Sequence, residues 1–98
     1  MEYSVYQLKR ENLDKYGFMD YGYALEHGFD LSDYEKTYEG VIIPNGDGVE
    51  ATLEDIFVEL NVNHPKDYHC HSLSVSDIVE YGGEKWYVDS FGFKRISQ

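Results

Sequence analysis

The sequence predicts an α+β fold: a small antiparallel sheet with a C-terminal hairpin, packed by one or two helices. Three features carry this expectation. The run Tyr3 to Leu8 (YSVYQL) concentrates β-branched and aromatic residues, as strands do. Leu53, Ile56, Phe57 and Leu60 recur at i, i+3, i+4 and i+7, the spacing of one buried helix face. Gly82-Gly83 separates two extended runs, Leu73 to Tyr81 and Glu84 to Phe91, and suits a two-residue hairpin turn.

Along the chain, Tyr3 to Leu8 is the first strand. Asn12 is placed to cap a short turn through Tyr16 that Gly17 ends. Asp20 is the expected N-cap of a helix to His27, with Gly28 past its end; Gly22 inside it costs about 1 kcal/mol relative to alanine. Ser32 and Glu35 resemble a capping box, but Thr37-Tyr38 and Val41-Ile42-Ile43 favour extended chain, so a strand is expected from about Lys36 to Ile43. Pro44-Asn45-Gly46-Asp47-Gly48 is a turn. The helix from Leu53 to about Leu60 starts at Thr52, which with Asp55 approximates a capping box. Its first turn holds Glu54 and Asp55, favourable at the positive end of the helix dipole, and Glu59 lies outside the apolar stripe. In the C-terminal hairpin, Val79 faces Trp86 and Glu80 faces Lys85. Gly92 then turns the chain into a short extended piece containing Phe93 and Ile96.

Ninety-eight residues make one domain, 1–98, with no repeat, linker or low-complexity tract. Nineteen acids against eight lysines and arginines give a net charge of −11. That balance speaks against direct nucleic-acid binding and against docking on anionic lipid. Forty-two per cent apolar residues exclude a disordered chain. No apolar run is long enough to span a membrane, no signal core follows Met1, and a single cysteine, Cys70, suits a reducing compartment; the expected location is cytoplasmic. The charge is local. Residues 20–59 hold eleven acids against Lys36 alone, whereas residues 1–19 balance and residues 60–98 carry a net −1. One reading is a solvated surface that keeps the protein dispersed. The other is a negative patch that steers a basic partner.

Catalytic patterns are missing. His64, His69, Cys70 and His71 form the only concentration of soft metal ligands, but in extended chain His69 and His71 share a face while Cys70 points away. No second ligand pair of fixed spacing exists, so these residues read as a polar loop with no metal and no cofactor. Cys70 lacks an acyl-transfer signature around it. Asn45-Gly46-Asp47-Gly48 lacks the spaced carboxylates of a calcium loop. Phosphate loops, nucleophile elbows and zinc-protease motifs do not occur. The chain is expected not to be an enzyme.

Ten tyrosines are unusual for this length, and Tyr16, Tyr21, Tyr23, Tyr34 and Tyr38 thread the acidic segment. They either cap a small core with one polar end in water or supply rigid contact area to an interface. Beside carboxylates they suit an Arg- or Lys-rich partner.

Ser72-Leu73-Ser74-Val75-Ser76-Asp77-Ile78-Val79, followed by Tyr87-Val88-Asp89-Ser90-Phe91-Gly92-Phe93, resembles the YodL-like domains of Firmicutes. The Leu53-Glu54-Asp55-Ile56-Phe57 helix, His64-Pro65 and the opening strand fit the same pattern, so the resemblance covers most of the chain. Cys70 stands where a small residue such as glycine is expected. The resemblance implies a mobile or conjugative element as the source, brings no catalytic residues, and points to a family whose namesake antagonises an actin-like cell-shape protein. Ser76, Asp77, Asp89 and Ser90 are expected to bond nearby backbone at turns.

The functional expectation is a non-enzymatic interaction protein. Its partner surface would comprise Asp20, Glu26, Asp30, Asp33, Glu35, Glu39, Glu54, Asp55, Glu59, Tyr21, Tyr23, Tyr34 and Tyr38, gathered on one side. Such a surface would occlude the basic nucleic-acid-binding site of a host defence protein, as an anti-restriction or anti-CRISPR inhibitor that partly mimics duplex DNA and its one charge per ~1.7 Å of axis. The alternative is a modulator binding an actin-like cytoskeletal protein through apolar and tyrosine contacts. A homodimer stays open, since tyrosine-rich exposed strands serve self-association equally well.

Overall fold

The computed structural model describes residues 1–62 and 72–97. The inner strand β1 (Glu2–Leu8) pairs on one edge with β2 (Tyr34–Val41) and on the other with β3 (Ile78–Tyr81). β4 (Glu84–Val88) and β5 (Phe93–Arg95) complete a sheet of order β2-β1-β3-β4-β5 in which every neighbour is antiparallel. The α+β class and the C-terminal hairpin are as the sequence predicts. Gly82 and Gly83, at φ 64 and 80, make the turn. Val79 faces Trp86 and Glu80 faces Lys85, whose Nζ lies 3.3 Å from the Glu80 carboxylate.

Side chains alternate along a strand, so the inner strands feed two cores. On one face Tyr3, Val5, Val79 and Val88 meet Leu53, Ile56 and Leu60 of α3 (Val49–Asn61). On the opposite face Leu8, Ile78 and Tyr87 meet Tyr16 from the single turn α1 (Leu13–Tyr16), Ala24 from α2 (Tyr21–Glu26), and Phe29. The three α3 side chains are fully buried, each worth about 1.5–3 kcal/mol relative to exposure.

The register of β2 against β1 shifts between Val5 and Tyr6. Val5 faces Tyr38 while Tyr6 faces Lys36, which leaves Thr37 as an inserted residue, a β-bulge. The insertion reverses the alternation. Tyr38 therefore packs against the α3 core, whereas Tyr34 drops into the core beneath α2.

Several boundaries differ from expectation for local reasons. β2 starts at Tyr34 rather than Lys36, because the preceding turn Leu31–Asp33 is capped by Asp30 through the Ser32 N–H at 2.8 Å. α3 starts at Val49 rather than near Leu53, with Gly48 (φ 117) as its N-cap. Thr52 instead works from inside the first turn: its hydroxyl donates to the Gly48 carbonyl at 3.0 Å and accepts from Asn45 N–H at 2.9 Å. Asn12 makes no capping bond; its side chain reaches the Asp33 carbonyl, 3.1 Å away. β3 starts at Ile78 rather than Leu73, since Asp77 accepts from Ser74 N–H at 2.8 Å and Ser76 takes a left-handed conformation (φ 87). Asp20 does cap α2, accepting from Tyr23 N–H at 2.8 Å.

Candidate functional site

The two-sided architecture decides where the acidic segment can act. α2 and α3 lie on opposite faces, with the edge strand β2 between them in sequence. Asp20, Glu26 and Asp30 are exposed on the α2 side, Glu35 and Glu39 on the edge strand, and Glu54 and Asp55 on α3, where Glu59 is half-buried. The carboxylates thus form three groups and do not gather on one side, because the chain crosses from one face of the sheet to the other between Asp30 and Glu50.

Asp33 leaves the surface set altogether. It is buried, with its carboxylate 2.8 Å from Lys15 Nζ and accepting from the Tyr16 hydroxyl at 2.9 Å. Glu39 pairs with Lys36 at 2.7 Å. Hydrogen bonds from the Ser32 backbone and side chain hold the exposed Asp30 carboxyl below its usual range.

The tyrosines turn inward more than an interface requires. Tyr34 is buried, Tyr21 is half-buried against Phe29 and Tyr87 at ring distances of 5.5 and 4.9 Å, and Tyr38 packs on Tyr3 at 6.2 Å. Tyr23 stacks on His27 at 3.8 Å at the end of α2. Buried hydroxyls tie loops together: Tyr34 donates to the Ser76 carbonyl at 2.6 Å, and Tyr87 to the Met19 carbonyl at 2.7 Å. Burial raises the pKa of Tyr16, Tyr34 and Tyr87 well above the ordinary phenolic value, and at Tyr16 the Asp33 hydrogen bond adds to it. These groups stay neutral donors, so their chemistry is structural. Asp89 likewise bonds backbone, accepting from Tyr21 N–H at 3.0 Å. His64, His69, Cys70 and His71 lie outside the described residues. Among the described ones, no group of three or more His, Cys, Asp or Glu is placed to hold a metal ion.

Sequence reading did not anticipate a groove between α3 and the turn after β4. Its apolar wall comes from Phe57, Val58, Val75, Val88 and Phe93, its charged side chains are Glu54 and Asp89, and its volume is about 370 Å³. Phe91, in the same turn, is 92% exposed. Phe18, 62% exposed, belongs to the same end of the molecule, since its N–H donates to Ser76 Oγ at 3.0 Å next to Val75. Neither Glu54 nor Asp89 takes part in an ion pair among the described residues. The only advance signal was Phe91 itself, an aromatic between Ser90 and Gly92 where a turn is expected.

Compared with known proteins, residues 2–98 match the family model described as the YodL-like domain. No curated protein and no solved structure matches the chain. No helix among the described residues is long and apolar enough to cross a membrane.

Proposed function

From the premise that this chain belongs to the YodL-like domain family, we propose that it is a non-catalytic interaction protein of a mobile genetic element. It docks on a basic surface of a host defence protein and blocks nucleic acid from reaching that surface. The observation that carries this reading is unneutralised charge. Asp20, Glu26, Asp30, Glu35, Glu54 and Asp55 are all exposed, and none is ion-paired with a cation of the chain among the described residues. Their spread over both faces favours a protein that covers its target by charge and shape over one that copies the two phosphate rows of a duplex. Tyr21, Tyr23 and Tyr38 keep part of their surface exposed, while the buried Asp33 and Tyr34 take no part.

A second reading, a modulator of an actin-like cytoskeletal protein, draws on the apolar exposure at Phe18 and Phe91. Salt separates the two, because exposed charges farther apart than about 10 Å are largely screened at 0.1 M ionic strength. The test is a pull-down from host lysate at low and high salt with the captured proteins identified. The first reading expects basic nucleic-acid-binding proteins at low salt that are lost at high salt. Capture of acidic proteins alone, retained at high salt, would overturn it.

A further inference from the structure

We propose that the groove between α3 and the 89–93 turn is the docking site for a partner segment in which an apolar side chain is flanked by lysine or arginine. The inference rests on the basic-partner reading above and specifies where contact is made. Four observations carry it.

The groove's volume, about 370 Å³, falls within the ~300–1,000 Å³ of typical binding clefts. Its walls are Phe57 and Val58 from α3 and Val75, Val88 and Phe93 from the sheet end, so an apolar side chain entering it leaves water on several sides. Phe91 is the most exposed large hydrophobic residue described, at 92%. It projects from the closed turn whose Asp89, Ser90 and Gly92 line the groove, while its own ring is not part of the lining. In that turn Asp89 N–H donates to the Gly92 carbonyl at 3.0 Å and Gly92 sits at φ 74. A ring fixed on a tight turn is presented before any partner arrives, which lowers the ordering cost of contact.

Charge chooses the occupant. The charged side chains lining the groove, Glu54 and Asp89, are both acidic, and no cation lines it among the described residues. Glu50 follows the same exposed side of α3 one turn earlier. A second copy of this chain would bring acidic rim against acidic rim on molecules of net charge −11. Nucleic acid would set phosphates against the same carboxylates. A Lys- or Arg-flanked apolar segment answers both the walls and the rim.

The test uses the whole chain and two short labelled peptides of equal length. Each carries Leu and Phe; one has flanking lysines, the other glutamates. Binding is read by fluorescence polarisation and by amide chemical shifts. The lysine peptide is expected to bind saturably, with shifts confined to Phe57, Val58 and residues 89–93. The exposed position Val58→Asp should weaken it roughly tenfold at high salt, where the added carboxylate no longer attracts the lysines, and Phe91→Ala should weaken it also. Glu54→Lys should weaken it about threefold at low salt and leave it unchanged at high salt. Equal binding of the glutamate peptide, no binding of either, or unchanged affinity in Val58→Asp and Phe91→Ala would overturn the proposal. So would a concentration-dependent dimer that Val58→Asp abolishes. Thermal melts of each variant verify that it is folded. The lysate experiment separates this inference from its premise. If Val58→Asp captures the basic partner as the wild type does, the groove fails and the basic-partner reading stands. If the lysine peptide occupies the groove but no basic protein is captured, the reverse holds.

Discussion

Replacing Tyr34 with phenylalanine removes one oxygen atom and leaves the ring in place. Tyr34 is 6% exposed, and its hydroxyl donates to the carbonyl of Ser76, itself 2% exposed, at 2.6 Å. Ser76 is a non-glycine residue at φ 87, held by three bonds from separate parts of the chain. Its N–H donates to the Val88 carbonyl at 3.0 Å, its Oγ accepts from Phe18 N–H at 3.0 Å, and its carbonyl accepts from Tyr34. The variant leaves that carbonyl buried without its phenolic donor, at a cost of about 1–3 kcal/mol. In a domain of this size the melting temperature should fall by roughly 5–15 °C. The control is Tyr21→Phe, whose ring packs in the same cluster but whose hydroxyl makes no hydrogen bond among the described residues. Calorimetry or thermal circular dichroism of both variants decides the matter. If Tyr34→Phe melts within a degree or two of Tyr21→Phe, the idea that this hydroxyl clamps the Ser76 turn is wrong.

Three further outcomes are expected. Tyr16, Tyr34 and Tyr87 hold their protons above the ordinary value of 10.0 through burial, so the native chain binds more protons than the unfolded chain once pH exceeds that value. Stability should therefore be complete below about pH 10 and fall above it, by about 1.4 kcal/mol per pH unit for each tyrosine concerned. Urea unfolding between pH 8 and 11.5, with phenolate absorbance followed in parallel, checks this; free titration of all tyrosines near pH 10 in the folded protein would contradict it. Gly40→Ala should destabilise by about 1–3 kcal/mol, since a Cβ there would lie 2.6 Å from Cζ of the buried Tyr3 ring. Gly46→Ala, with nothing within 4 Å, should change stability by no more than about 0.5 kcal/mol by the same urea assay.

The features readable in the sequence are those fixed by residues close together in the chain. Gly82-Gly83 dictates the hairpin and its register, the Leu53-to-Leu60 stripe dictates the buried face of α3, and Asp20 caps α2 within four residues. What escaped depends on distant partners. The strand expected from Leu73 is interrupted at Ser76 by contacts from Phe18 and Tyr34. Tyr34 lies next to acids in sequence yet is buried, because the inserted Thr37 reverses the alternation of β2. The acidic segment looked like one surface only because sequence does not reveal that it passes from one face of the sheet to the other. The groove draws on α3, the 74–77 turn and the end of β4, and no local pattern encodes their meeting.

The pairing of β1 on both of its margins has a consequence for biosynthesis. β2 can join it early, but the opposite margin of β1 is matched by β3, where Tyr3 meets Tyr81. A ribosome must deliver most of the chain before that margin closes. Until then a row of unsatisfied amides and carbonyls flanked by Tyr3 and Val5 remains open to stray strands, and completion is governed by a slow, long-distance closure.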